Sequence, residues 1–226
     1  MRLRAVIFDV DGTLVDSQAD ILAAMVMAFQ AEGLSPPTRD AVLGIVGLSL
    51  DVALPILAPD SDHEACTRMV QGYKDAYVEV RREKGAKVSS PLYSGAREAL
   101  DRLQKHDDVL LGVATGKSRR GLDKLIEAYE LEGVFLTRQV ADDHPSKPNP
   151  SMLFQAMRDL GLEANDTVMI GDTSFDMEMA RAAGVHFIGV AWGYHDVARL
   201  ADADVIIDDF AQLDAALETV WSNSHV

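Results

Sequence analysis

Two aspartates separated by one valine, Asp9 and Asp11 in "VIFDVDGTLVDS" (residues 6–17), close an apolar run and precede a glycine. Carboxylates this close repel each other and are costly to bury alone, so the pair demands a cation or a shared proton. While the backbone stays extended, residues two apart point to the same side. Gly12 then permits a sharp turn, and Thr13 brings a hydroxyl and a backbone N–H to the same mouth. One carboxylate of such a pair can act as a covalent nucleophile towards phosphorus. The other can protonate a leaving oxygen and later deprotonate water. The plainer alternative is a strand that runs into an acidic turn.

Three further segments carry complementary groups. "VATGKS" (113–118) ends an apolar run with Thr115, Gly116 and Lys117, just ahead of a helix pattern whose free N–H groups favour an anion. A Thr-Gly turn is also ordinary punctuation before a helix. "SKPNP" (146–150) places Lys147 on a proline-stiffened loop, where the ammonium is held rather than waving in solvent. "IGDTSFDME" (170–178) ends another run with Asp172 and sets Asp176 four residues on, at a helix opening. Hard oxygen ligands from separate strand ends suit Mg²⁺, which takes few protein carboxylates and keeps several waters. Asp172 serving only as a helix cap is the alternative.

The elements that must position these groups follow from periodicity. Short apolar runs at 5–10, 109–115, 167–171, 186–191 and 204–208 read as buried parallel strands. Between them, "SRRGLDKLIEAY" has Ser118 as N-cap, "NPSMLFQAMRDLG" has Asn149 as N-cap with Pro150 at the first helical position, and "FDMEMARAAG" ends at Gly184. Strands alternating with helices predict an α/β fold, a doubly wound, Rossmann-like parallel sheet with its site at the strand C-terminal ends. A parallel crossover needs about a dozen residues, yet nearly the whole stretch from 11 to 108 separates the first two strands. That stretch reads helical, so residues 16–90 are expected to form an inserted helical cap domain on a core of residues 1–15 and 91–226.

Bulk properties narrow the partners. The 226 residues include 36 acidic and 21 basic side chains, a formal charge of -15, which disfavours nucleic acid and anionic membranes. A phosphate site must therefore supply its own local positive charge. One cysteine, Cys66, excludes an internal disulfide framework and fits a reducing cytoplasm. The start "MRLRAVIF" runs directly into aspartates rather than through a signal-peptide core, and no apolar window is long enough to span a membrane. Both a monomer and a homodimer are compatible with the sequence.

The four segments, in this order and without a gap, resemble the motifs of the haloacid dehalogenase superfamily. "DVDGT" is similar to its first motif, Thr115 to the second, Lys147 to the third and "GDTSFD" to the fourth. With "GVAWGYHD" added, the chain looks most like the phosphoglycolate phosphatase branch, with its helical insertion after the first motif. This resemblance implies a phosphatase of a small phosphorylated metabolite in which Asp9 attacks phosphorus and Asp11 acts as acid, then base. It further implies Mg²⁺ held by Asp9, the Asp11 carbonyl and Asp172, with Asp176 ligating it or orienting its water or Lys147. Thr115, the Gly116 N–H and Lys147 would hold phosphoryl oxygens, and Lys117 is a further candidate to bind substrate.

Related chemistries are separable on the same residues. Dehalogenases of this group lack the second aspartate, whereas Asp11 is present. Sugar phosphomutases typically carry valine where Thr13 stands, and phosphonoacetaldehyde hydrolases need a cap lysine that "DILAAMVMAFQAEGLSPPT" lacks. A non-catalytic phosphometabolite-binding protein would be expected to have lost a motif aspartate. In the cap, Gly47 and Ser49 of "GIVGLSL" are candidates to approach the substrate, against the alternative of an ordinary helix connection. Arg81, Arg82 and Lys84 form a basic run that could attract an acidic leaving group but at helix spacing are expected on a solvated face, His144 is expected in a loop role, and Trp192 walling the pocket or covering the sheet edge.

Overall fold

The computed structural model describes residues 2–223, with the side chains of residues 83, 84, 86 and 223, and so that of Lys84, outside the description. Its strands are β1 (Arg4–Phe8), β2 (Val109–Thr115), β3 (Thr137–Val140), β4 (Thr167–Gly171), β5 (His186–Val190) and β6 (Val205–Ile207). They form one parallel sheet in the order β3-β2-β1-β4-β5-β6. The helices are α1 (Gln18–Ala31), α2 (Arg39–Leu43), α3 (Leu50–Leu57), α4 (His63–Lys84), α5 (Ala86–Ser89), α6 (Ala96–Leu103), α7 (Arg119–Tyr129), α8 (Ser151–Leu160), α9 (Ser174–Ala183) and α10 (Leu213–Asn223).

The central strand explains its own apolar run. Val6 and Phe8 join a cluster with Leu100, Leu122 and Val220, while Ala5 and Ile7 join another with Leu153 and Met179. Alternate residues thus fill opposite faces, and a sheet covered on both sides needs apolar residues at every position. Phe8 is level with Val113 of β2 and Ile170 of β4, so the residues that follow these strands emerge along one edge.

Two local expectations are corrected. β1 stops at Phe8 instead of residue 10, because the chain turns through Gly12, whose N–H donates to the Val15 carbonyl at 2.9 Å. Pro150, not Asn149, occupies the cap position of α8, although the Asn149 side chain accepts from the Ser151 N–H at 3.0 Å. A sixth strand, β3, has no counterpart among the sequence expectations. Its "TRQV" buries Thr137 and Gln139, whose side chains both donate to Asp159, so an edge strand exists without an apolar run.

Between β1 and β2 the chain forms α1 to α5 around a separate apolar cluster that includes Ile21, Met25, Phe29, Leu54 and Met69. The outgoing and returning chains touch where the Asp16 N–H donates to the Pro91 carbonyl at 2.8 Å. No helix of the described residues is long and apolar enough to cross a membrane.

Candidate active site

The C-terminal edge of the sheet gathers a buried ionic cluster. Asp9 follows β1, with its N–H on the Ile170 carbonyl at 2.8 Å. The Lys147 ammonium donates to Asp9 Oδ1 at 2.8 Å and to Asp176 Oδ1 at 2.6 Å, and its side chain has no exposed surface. Burial works against this ammonium, yet Asp176 and Asp9 outweigh it and raise its pKa. Oxygens of Asp9, Asp172 and Asp176 all lie within 4.8 Å of one another. Three carboxylates against one ammonium would, with all of them ionised, carry two surplus negative charges in a buried cluster.

That surplus shows in the titration of the acids. Burial pushes the Asp9 carboxyl up to about 7, with Lys147 pulling against the rise and Asp176 and Asp11 adding to it. Asp172 is raised well above the ordinary carboxylate range by burial and then by Asp9 and Asp176, despite hydrogen bonds from the Tyr194 N–H and Thr13. A divalent cation bound among these oxygens matches the surplus and would favour their charged forms.

Asp172 is clamped by backbone. A Cβ at Gly12 would stand 2.2 Å from its Oδ2, and a Cβ at Gly193 2.1 Å from its own Cβ. Thr13 Oγ1 donates to Asp172 Oδ1 at 2.9 Å, and the Tyr194 N–H donates to Oδ2 at 2.8 Å. Thr13 therefore has a positioning task whatever the final acceptor of the reaction. Thr173, not Asp172, caps α9: its hydroxyl accepts from the Asp176 N–H, and Asp176 Oδ2 accepts from the Thr173 N–H.

Asp11 stands apart from the three carboxylates and in reach of the helical segment. Its Oδ1 accepts from the Ser17 hydroxyl and lies 2.8 Å from the Lys117 ammonium. Lys117 donates in turn to the Tyr77 hydroxyl of α4 at 3.3 Å, with the ammonium 5.2 Å from the ring centre. Burial opposes the Lys117 charge, but Asp11 and Tyr77 raise its pKa overall. Thr115 is buried at the end of β2, where its Oγ1 accepts from the Lys117 N–H at 3.2 Å.

The turn at 44–50 lies against the sheet edge. A Cβ at Gly116 would come 2.7 Å from the Gly47 carbonyl, and one at Gly47 would come 3.2 Å from Thr173 Oγ1. The Ser49 N–H donates to the Ser146 hydroxyl at 2.8 Å, one residue before Lys147. Asp9, Asp11, Gly47, Thr115, Gly116 and Lys117 all line a cavity of about 680 Å³ that is lined also by residues of α1 and α4.

Other residues meet their expectations in part. Arg81 lines the cavity with Nε and Nη2 buried, rather than lying on a solvated face, because it reaches from α4 to α7, where its Nη1 lies 3.4 Å from the Gly121 carbonyl. Arg82 is exposed beside Glu79. His144 bridges Ser151 and Gln139 at 2.8 Å each, holding the loop that carries Lys147. Trp192 is half-buried, and its Nε1 donates to the Thr13 carbonyl. Sequence reasoning missed Ser17, Tyr77, Ser146, Thr173 and Tyr194. Only Thr173 had a local signal, as a threonine three before an acidic residue at a helix start.

Comparisons with known proteins fit this geometry. The sequence profile of the haloacid dehalogenase-like hydrolases matches residues 6–190. The Dickeya dadantii protein named "Probable phosphatase IndB" is 36% identical over 213 residues, covering 92% of this chain and 90% of that protein. A phosphoglycolate phosphatase of Agrobacterium fabrum is 32% identical over 213 residues, covering 93% and 91%. A haloacid dehalogenase-like family protein of Streptococcus pneumoniae superposes with a TM-score of 0.81 at 25% identity, covering 95% of this chain and 98% of that one.

Proposed function

Because the chain belongs to the haloacid dehalogenase-like hydrolase family, we propose that it is a Mg²⁺-dependent phosphatase hydrolysing a small phosphate monoester through an aspartyl phosphate on Asp9. The phosphatase names of the relatives from Dickeya and Agrobacterium support the reaction class. The observation that carries the reading is the buried cluster, in which three carboxylates face one ammonium. A binding protein would have no use for an acid pair that is so costly to bury.

In this reading Asp9, Asp172, Asp176 and the Asp11 carbonyl hold Mg²⁺, which when bound offsets the charge of the phosphoryl oxygens. The Asp9 carboxylate attacks phosphorus, and the ester P–O bond breaks as Asp11 gives its proton to the leaving oxygen. Asp11 then takes a proton from water, whose oxygen attacks the phosphorus and releases inorganic phosphate from Asp9. Lys147, Thr115 and the Gly116 N–H hold the equatorial oxygens, where charge persists through both transition states. For the first step, Asp11 must leave its pairing with Lys117 and acquire a proton, so the arriving ester has to displace that ammonium.

The helices of residues 16–90 act as the cap over a core of residues 1–15 and 91–226, with Gly47 and Ser49 meeting the substrate side. The unpaired, buried Cys66 suits a reducing cytoplasm, where the protein works as a monomer or homodimer. Borohydride reduction of enzyme quenched during turnover tests the intermediate, since an acyl phosphate is converted to an alcohol at that residue alone. The expected mass change falls on Asp9 and is absent in Asp9→Asn, which also loses turnover. Steady turnover with no modification of Asp9 would overturn the reading.

A further inference from the structure

From the lining of the cavity above Asp9 and Asp11, we infer that the ester's alcohol carries an apolar, ring-sized body and is not a two-carbon acid. This inference rests on the phosphatase reading above and specifies its substrate. A volume of about 680 Å³ falls in the range of about 300–1,000 Å³ that buries a drug-sized ligand. A phosphate with a two-carbon alcohol would fill only the end nearest Asp9 and leave the rest to water.

The chemistry of the walls points the same way. Ile21 and Met25 of α1, Ile45, and Ala53 of α3 contribute apolar surface, and Tyr73 and Tyr77 of α4 add two rings. These rings stack at 5.9 Å between centroids with 26° between planes and add aromatic surface to the wall next to Lys117. Water against such a wall is readily displaced by an apolar group, and a second ring can lie along or against the first pair.

A carboxylate on a two-carbon alcohol would sit within two bonds of the ester oxygen, at the depth of Asp11. Lys117 is the cation at that depth, and it is already held by Asp11 at 2.8 Å and the Tyr77 hydroxyl at 3.3 Å. Of the other basic side chains of the lining, Lys74, Arg82, Arg120 and Lys124 are solvent-exposed, and Arg81 is part-buried with its Nη1 turned to the Gly121 carbonyl of α7 at 3.4 Å. A carboxylate so placed would add a negative charge beside Asp9 and Asp11 and compete with Asp11 for Lys117, which makes it a poorer fit there than an apolar group.

The test compares alkyl esters with similar leaving oxygens. With Mg²⁺ and the full chain, kcat/KM for 2-phenylethyl phosphate should exceed that for ethyl phosphate and 2-phosphoglycolate by at least about tenfold, the scale of apolar-pocket discrimination. Tyr73→Ala should remove most of that advantage through KM while leaving ethyl phosphate little changed, and Tyr77→Phe should keep it. Should the Tyr73 variant fail to fold, the wild-type series still decides. Calorimetric binding of 2-phenylethylphosphonate and ethylphosphonate to Asp9→Asn gives a second readout that needs no turnover, with the phenylethyl compound at least about tenfold tighter. A phosphoglycolate preference, or equal affinity for the two phosphonates, would overturn the inference and leave the phosphatase reading intact. No turnover of any ester beside tight phenylethylphosphonate binding would sink the phosphatase reading instead.

Discussion

Replacing Lys147 with methionine removes the one ammonium from the cluster while keeping the length and most of the volume of the side chain. Asp9 and Asp176, now 2.8 and 2.6 Å from that nitrogen, would face each other and Asp172 without compensation. Breaking a buried ion pair in this way costs about 3–5 kcal/mol. The cost should depend on pH in a defined sense. A carboxyl whose folded pKa lies above its unfolded value weakens the fold as pH rises past the unfolded value, and the penalty is complete only above the folded one. Asp9 already stands at about 7 against 3.8 unfolded, and losing Lys147 removes the main influence that lowers it. Urea unfolding in the presence of a chelator should therefore show a loss that grows with pH, clearly larger near about pH 8 than near about pH 5. Adding Asp176→Asn should recover part of it, because one of the repelling charges is gone. A loss below about 1 kcal/mol, the level of an exposed pair, or one that is equal at both pH values, would refute the idea that Lys147 is what makes the acids tolerable.

Three further outcomes follow from single contacts. Gly193→Ala should cost several kcal/mol or displace Asp172, since the new Cβ would lie 2.1 Å from the Asp172 Cβ, and Mg²⁺ titration by calorimetry should show weakened binding; wild-type affinity would refute this. Gly116→Ala drives a methyl to 2.7 Å from the Gly47 carbonyl, so protease nicking of the 44–50 turn should accelerate while the core unfolds at its usual denaturant concentration. Burial and Arg199 push the His195 imidazole down to about 4 from 6.5. Its contribution is therefore complete above the unfolded value and lost as pH falls towards 4, by up to roughly 3 kcal/mol at about 1.4 per unit. His195→Gln should flatten unfolding free energy between those values, and an unchanged slope would count against it.

The strands that carry the site were legible because both faces of the sheet are covered. A residue such as Val6 or Ile7 must then be apolar whichever way it points, and the run announces itself. β3 was hidden for the converse reason. It lies at the sheet edge, and the side chains of Thr137 and Gln139 meet Asp159 instead of an apolar layer. The aspartates and Lys147 could be found because each sits at a strand end or on the loop before one, where topology alone brings them together. Tyr77 and Tyr194 could not. Each is an unremarkable aromatic in sequence, and its importance depends on which helix or loop folds back over the mouth. Arg81 shows the same limit: helix periodicity places it with Arg82, but only the contact with Gly121 of α7 decides which of the two is buried.

Tyr194 shows how the ionic cluster and the helical segment are tied. Its N–H holds Asp172 at 2.8 Å, while its hydroxyl accepts from the Ser17 N–H at 2.8 Å, at the point where the chain leaves the sheet for α1. Ser17 in turn donates to Asp11, and Asp11 reaches α4 through Lys117 and Tyr77. A shift of α1 or α4 relative to the sheet must therefore break contacts of Asp11 before it reaches Asp9, which is anchored by Lys147 and by β4 rather than by any helix of residues 18–89. In the mechanism proposed above, the nucleophile then stays fixed on the sheet, and the proton-transferring group is the one that senses where the helices stand. Such a division suits a reaction in which attack must be available at once but proton delivery is useful only over a seated ester, since an acid exposed too early would serve water as readily as the substrate.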